Sequence, residues 1–232
     1  MSETALIAGH GPGFCEELAW ELADAGYAIG LFARSEDYID SFAATLRDDG
    51  HQAHAIPTDI TDPEQVTEGV ERLRDRFGPI TVLAHTASTT TDIGGELDPD
   101  RFEQLWRLYT HSGLLCFREM KDDLQANNGT ALFFGATPDI GDYAYKSAKR
   151  ATRGLARSLA TEYGPEGIHV AHVTIAGSIL NPDVYDRVEE VNEPEHIDPA
   201  AAASTCRHLV EQGERGRTFD LDLHTAARTN VQ

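Results

Sequence analysis

The sequence predicts an α/β protein, a single domain built on a doubly wound parallel sheet of about seven strands. Three observations predict it. Short apolar runs alternate with amphipathic helical patterns from Thr4 to Leu223, with no internal repeat, low-complexity segment or linker. A glycine-rich turn, Gly9-His-Gly-Pro-Gly13-Phe-Cys15, joins the first apolar run to the first helical pattern. A length of 232 residues suits one domain with a substantial core, and no apolar run approaches the ~20 residues that span a bilayer.

Thr4–Ala8 reads as a buried strand. Phe14, Leu18, Ala19, Leu22 and Ala23 then recur at helical spacing until Gly26, a residue suited to a helix C-terminus. Tyr27–Ala33 is the second strand, Glu36–Asp49 a helix closed by Gly50, and His51–Ile56 the third strand, leading to Asp59-Ile60. Thr61-Asp-Pro-Glu64 reads as a capping box with proline in the first turn, opening a helix to Phe77 that Gly78-Pro79 breaks. Ile80–Ala84 is the fourth strand. Asp98-Pro99 caps a long helix to about Asn127, and Thr130–Phe134 is the fifth strand. A helix runs through Tyr143–Tyr163. Asn181–Ile197 is irregular and acidic, Asp198-Pro199 caps a last helix to about Gln212, and Arg217–Leu223 is the final strand.

Composition excludes several functions. There are 39 acidic residues against 19 basic ones, a formal charge of −20 at pH 7. Such a surface repels nucleic acid and anionic membranes. Cys15, Cys116 and Cys206 are odd in number and far apart, so neither a disulfide framework nor a zinc site is expected, and a reducing cytoplasm fits. The first apolar run is too short for a signal peptide. The ten histidines show no metal-binding spacing.

The chemistry concentrates on the helix after the fifth strand. Tyr145 and Lys149 stand four residues apart on it, so their side chains share one face. An ammonium near a phenol favours the phenolate, which predicts a lowered pKa for Tyr145 and a general acid or base suited to a carbonyl/alcohol pair. The sequence has three lysines, Lys121, Lys146 and Lys149, against sixteen arginines, so lysine kept beside the tyrosine points to a need for a compact, tunable cation. Tyr143 with Lys146, three apart, is a rival pair.

The glycine turn sits where a pyrophosphate rests on a helix N-terminus. About 20 residues further on, dinucleotide folds place the group that meets the adenosine ribose. Here that strand ends at Ala33-Arg34 with no acidic residue. An arginine grips a 2′-phosphate, which points to NADP rather than NAD, although Arg34 also reads as a solvated residue before the Ser35 cap.

These features resemble the single-domain short-chain dehydrogenases/reductases, and the likeness covers nearly the whole chain. In that family the glycine turn reads Gly-x-x-x-Gly-x-Gly; Gly9 and Gly13 match, and Cys15 replaces the third glycine. His85-Thr86-Ala87-Ser88 corresponds loosely to Asn-Asn-Ala-Gly, and the Tyr-x-x-x-Lys motif is intact. Gly164-Pro-Glu-Gly-Ile-His-Val170 resembles the family's entry to the sixth strand, and Ala176-Gly177 stands where relatives carry Pro-Gly.

The resemblance implies a Rossmann fold and a bound nicotinamide dinucleotide. Gly9, Gly11, Gly13 and Phe14 would cradle the pyrophosphate, with Arg34 at the ribose. Asp59 and Ile60 would meet the adenine, Thr86 and Ala87 would line the cleft, and Gly177 and Ile179 would reach the carboxamide. Tyr145 would exchange the substrate proton while Lys149 holds the nicotinamide ribose. Two helpers are altered: the family's asparagine falls on Thr110, and its serine on Ala136, with Thr137 the nearest hydroxyl. Residues 181–212 would supply a substrate lid and the last helix of the single 1–232 domain. A homodimer or homotetramer through helices 99–127 and 143–163 is also implied. The acidic surface, with arginine in place of lysine, resembles proteins of salt-loving organisms. Two functions follow: an oxidoreductase moving hydride between NADP(H) and a carbonyl or secondary alcohol, or, alternatively, a dinucleotide-binding protein of weak or no turnover acting as sensor or assembly subunit.

Overall fold

The structure, a computed structural model, describes residues 3–89, 97–137, 141–187 and 191–227. Part of the loop before Tyr145 (138–140) and part of the expected lid (188–190) lie outside the described residues.

Seven parallel strands form one sheet: β1 (Thr4–Ala8), β2 (Ala28–Ala33), β3 (Ala53–Pro57), β4 (Ile80–His85), β5 (Thr130–Ala136), β6 (His169–Ile175) and β7 (Asp220–Leu223). Their order is β3-β2-β1-β4-β5-β6-β7. The helices are α1 (Phe14–Asp24), α2 (Glu36–Asp48), α3 (Pro63–Phe77), α4 (Pro99–Trp106), α5 (Ser112–Ala126), α6 (Tyr143–Tyr163), α7 (Pro182–Arg187) and α8 (Pro199–Val210). Alternating strand residues feed two cores. Leu6, Phe32, Leu83 and Phe133 pack under α3, α5 and α6 with Val70, Met120 and Ala148. Ile7, Leu31, Ala84 and Leu132 pack under α1, α2 and α8 with Leu18, Phe42 and Cys206. Strands covered on both faces explain the nearly unbroken apolar runs.

Three expectations are corrected. Asp62, not Thr61, caps α3: its carboxylate accepts from the Glu64 amide at 2.9 Å and the Gln65 amide at 3.3 Å. The expected long helix 99–127 is interrupted by a π-turn, Arg107–His111, between α4 and α5. Finally, 181–197 is not irregular throughout, for it holds α7 and a 3₁₀ turn, Glu193–Glu195. The segment is also pinned at its base. The Ile197 amide donates to Ser178 O at 2.8 Å, and the Leu180 amide to Ile197 O at 3.0 Å.

Tyr109, Leu115 and Phe117 turn inward, while Trp106 and Leu114 remain 39% and 42% exposed. All three cysteines are free and buried. Among the described residues no helix is long and apolar enough to cross a membrane, and no cluster of His, Cys, Asp or Glu could hold a metal.

Candidate active site

Strand order reverses between β1 and β4, and such a switch point opens a crevice at the strands' carboxyl ends. The glycine turn lies there. Gly9 has φ +98°, and a Cβ on it would stand 2.8 Å from Ala87 Cα and 2.9 Å from Ala87 N. Both are backbone atoms that cannot swing away, so only glycine lets β1 pass the loop after β4. Thr86 ties the same two segments, its hydroxyl donating to Gly9 O at 3.2 Å. Gly13, at φ +81°, leaves room for Asn181, whose Cβ is 2.9 Å from where its own would be.

The start of α1 follows at once. Its first amides, those of Phe14 and Cys15, have no intrahelical acceptor, and the helix dipole favours an anion there. The Glu16 carboxylate braces the turn, accepting from the Gly13 amide at 3.0 Å and from the Tyr38 hydroxyl at 2.7 Å. Cys15 fits in place of a third glycine because it is already helical and buried, with its thiol 3.9 Å from Gly9 O. Burial pushes that thiol's pKa up, so it packs rather than reacts.

Around the rim, Arg34 is exposed at the end of β2 and has no ion pair among the described residues. The Asp59 carboxylate accepts from the Thr61 amide at 2.9 Å and hydroxyl at 2.7 Å, which fixes the loop after β3 beside the buried Ile60. Gly11 has open space where a side chain would be. Gly177 and Ile179 stand at the base of the 181–197 segment, where Ile179 bridges to Ile197.

The α6 helix is held from its first residue. Asp142 caps it, one carboxylate oxygen accepting from the Tyr145 amide at 2.9 Å and the other from Arg101 Nε at 3.2 Å. The Tyr143 hydroxyl donates to Asp98 O at 3.0 Å, fastening the start of α4 to the same end. Tyr143 is thereby occupied by structure, which leaves Tyr145 with Lys149 as the pair facing the crevice. Gly141, at φ +82°, sits against Tyr145: a Cβ there would come within 2.6 Å of Cδ1 and 2.9 Å of Cγ.

Lys149 is buried, its Nζ donating to Ala87 O and Phe134 O, each at 3.3 Å. Burial pushes its pKa down to about 7. Burial also raises the Tyr145 phenol above its usual value, the reverse of the lowering that the four-residue spacing predicts. The physical reason is that spacing fixes a shared face but not dielectric: Nζ lies 5.9 Å from the Tyr145 ring centre, and desolvation outweighs its attraction.

The expected helpers behave differently from each other. The Thr110 hydroxyl donates to Ala148 O at 3.0 Å and lies 3.3 Å from Thr152 Oγ1, inside the seam between the π-turn and α6. It is committed there and does not face the crevice. The Thr137 hydroxyl is enclosed and bonds to no protein group among the described residues. An unmade hydrogen bond of this kind costs about 1–3 kcal/mol, so a ligand oxygen would be favoured beside it.

Sequence reasoning missed Tyr109, Gly141 and Asn181. The Gly-Asp pair before Tyr145 was a readable helix start, whereas nothing in Leu108-Tyr-Thr-His-Ser112 marks a π-turn, and Asn181 meets Gly13 only through the fold.

A model of the short chain dehydrogenase family matches residues 3–187. Over 173 residues the chain is 28% identical to cis-4-hydroxycyclohexanecarboxylate dehydrogenase of Sinomonas cyclohexanicum, covering 72% of this chain and 69% of that protein. Over 200 residues it is 24% identical to an uncharacterized oxidoreductase of Bacillus subtilis, covering 84% and 72%. Among solved structures, the hydroxysteroid dehydrogenase from Escherichia coli superposes with a TM-score of 0.87 at 20% identity, covering 96% of this chain and 95% of that one. L-sorbose reductase from Gluconobacter frateurii, complexed with NADPH and L-sorbose, gives 0.86 at 20% identity, covering 99% and 98%. At such identities these superpositions speak for the fold alone, while the family match spans most of the chain. The chain therefore belongs to the short-chain dehydrogenase family and is an NAD(P)-dependent oxidoreductase of that type.

Proposed function

We propose that the protein reduces a small-molecule carbonyl, or oxidises the matching secondary alcohol, with NADP(H) as its hydride carrier. The observation that carries this reading is Tyr145 and Lys149 on one face of α6 beside the crevice of the glycine turn. The dinucleotide, when bound, supplies or accepts the hydride. Tyr145 then needs to hand a proton to the substrate oxygen, and a phenol whose pKa is raised by burial carries that proton at neutral pH. Lys149 would hold the ribose hydroxyls. Ala136 offers no hydroxyl, and the unpartnered Thr137 Oγ1 is the donor nearest to that duty. The 181–197 segment, closed at its base, would cover the substrate.

NADP is favoured over NAD by the free guanidinium of Arg34 at the end of β2. The test is a panel of ketones, aldehydes and secondary alcohols, with NADPH and NADH compared at high salt by cofactor absorbance. NADPH should bind more tightly and support turnover, and Arg34→Asp should reverse or abolish the preference. Equal dissociation constants for the two cofactors would sink the NADP assignment. Tight NADPH binding with no turnover on any substrate would favour the reading as a binder without chemistry.

We further propose adaptation to high salt. A formal charge of −20 destabilises the compact state when screening is weak. The melting temperature should rise as KCl goes from about 0.1 M to about 1 M, because the Debye length shrinks from ~10 Å to ~3 Å. A flat or falling curve over that range counts against the salt-adapted reading.

A further inference from the structure

Lys149 carries its cation into a place where, among the described residues, no carboxylate meets it. Two main-chain carbonyls accept from Nζ, and among the described residues burial is the one influence that moves its pKa. A third contact comes from an aromatic face: the Tyr109 ring centre lies 4.0 Å from Nζ, against 5.9 Å for Tyr145. The face of such a ring is electronegative, and it attracts a desolvated ammonium most strongly.

Tyr109 is fixed on every side. It is 2% exposed, its ring meets that of Tyr145 edge-on at 5.5 Å, and its main-chain carbonyl accepts from the Thr152 hydroxyl at 2.8 Å. Its phenol bonds to the main chain of Thr89. Tyr109 lies in the π-turn, where it and the next residue, Thr110, are both buried. Turns of this kind are enriched at functional sites.

We propose that Tyr109 is a positioning residue that holds Lys149 in place as an ammonium through its ring face. Thr110 is no rival for this role, since its hydroxyl is committed to Ala148 O.

Among the described residues, the other titratable groups facing Lys149 leave it unsupported near neutral pH. Burial pushes His85 on β4 down to about 3 and lowers His172 on β6, while the phenols of Tyr109 and Tyr145 are raised, so all four are uncharged there. Asp220 on β7 is bonded to His172 Nδ1 at 3.0 Å and to Arg153, so its charge is already paired.

The consequence for turnover rests on the oxidoreductase reading, but the test does not. The chain has three lysines, so protein labelled with ¹³C at lysine Cε gives three resonances to titrate, and Lys149→Met assigns the one of interest. Lys149 should titrate near 7 in the unmutated protein. Tyr109→Phe keeps the ring face and should leave that midpoint unmoved. Tyr109→Leu should lower it by roughly one pH unit, about tenfold in the protonation equilibrium. Should Tyr109→Leu fail to fold, Tyr109→Met fills the space without a ring and should shift it likewise. An unmoved midpoint in the ringless variants overturns the proposal, as does a shift in Tyr109→Phe as large as theirs. Neither result depends on finding a substrate.

Discussion

Tyr145→Phe should lower turnover by about 10²–10⁴, the usual contribution of a positioned acid or base, while leaving the fold and NADPH affinity nearly unchanged. The substitution removes one oxygen that bonds to no protein group among the described residues, so the ring's edge contact with Tyr109 survives it. The pH behaviour follows from the direction of the shift. A phenol raised by burial stays protonated through neutral pH and loses its proton only at alkaline pH. The protonated form is the one that donates to a carbonyl oxygen, so reduction should outrun oxidation at pH 7, and oxidation should gain as pH rises. Steady-state rates in both directions, measured with the substrate found in the panel, check this. If Tyr145→Phe turned substrate over at the unmutated rate, the tyrosine would be a packing residue and the chemistry would lie elsewhere.

Most of the scaffold was legible in the sequence because it is written in short range. The apolar runs place β1 to β5 to within a few residues, since strands covered on both faces admit little else. The last strand is placed as Arg217–Leu223 against the observed Asp220–Leu223, whereas only the entry to β6 is marked, and by resemblance. Asp98 and Asp198 were readable as caps because an N-cap carboxylate followed by proline satisfies local amides. The glycines at 9 and 13 were readable as a turn, but not the reason each must be glycine. Ala87 and Asn181 press on them from segments far along the chain. The same gap explains the electrostatics. Tyr145 and Lys149 were placed on one face by counting residues, whereas their proton affinities depend on burial beneath β4, β5 and the π-turn. Thr110 was assigned by its place in a motif. Its hydroxyl found Ala148 O instead, one helix away. Tyr109 carried no signal at all, since its orientation depends on an extra residue wound into the helix at Arg107–His111.

Gly141→Ala should damage catalysis without removing any group that takes part in it. The added Cβ would stand 2.6 Å from Tyr145 Cδ1, 2.9 Å from Cγ and 3.0 Å from Cβ. These are the root of the side chain rather than its far end, so rotation about the ring axis gives no relief, and either the ring or the turn before α6 must move. The turn resists, because Asp142 is fastened on one side to the Tyr145 amide and on the other to Arg101. The ring is therefore the part that yields, and a displacement of about 1 Å at a reacting group costs roughly 10²-fold in rate. The left-handed φ of +82° adds strain of about 1–3 kcal/mol for any residue with a Cβ. The melting temperature should accordingly fall by several degrees, for about 2–4 °C is lost per kcal/mol in a chain of this size. Because the glycine turn at Gly9–Gly13 is untouched, NADPH affinity should hold while kcat falls, a pattern that separates a misplaced tyrosine from a collapsed cofactor site. A Gly141→Ala protein with unmutated kcat would mean that the ring position seen against Gly141 is not the one from which Tyr145 acts.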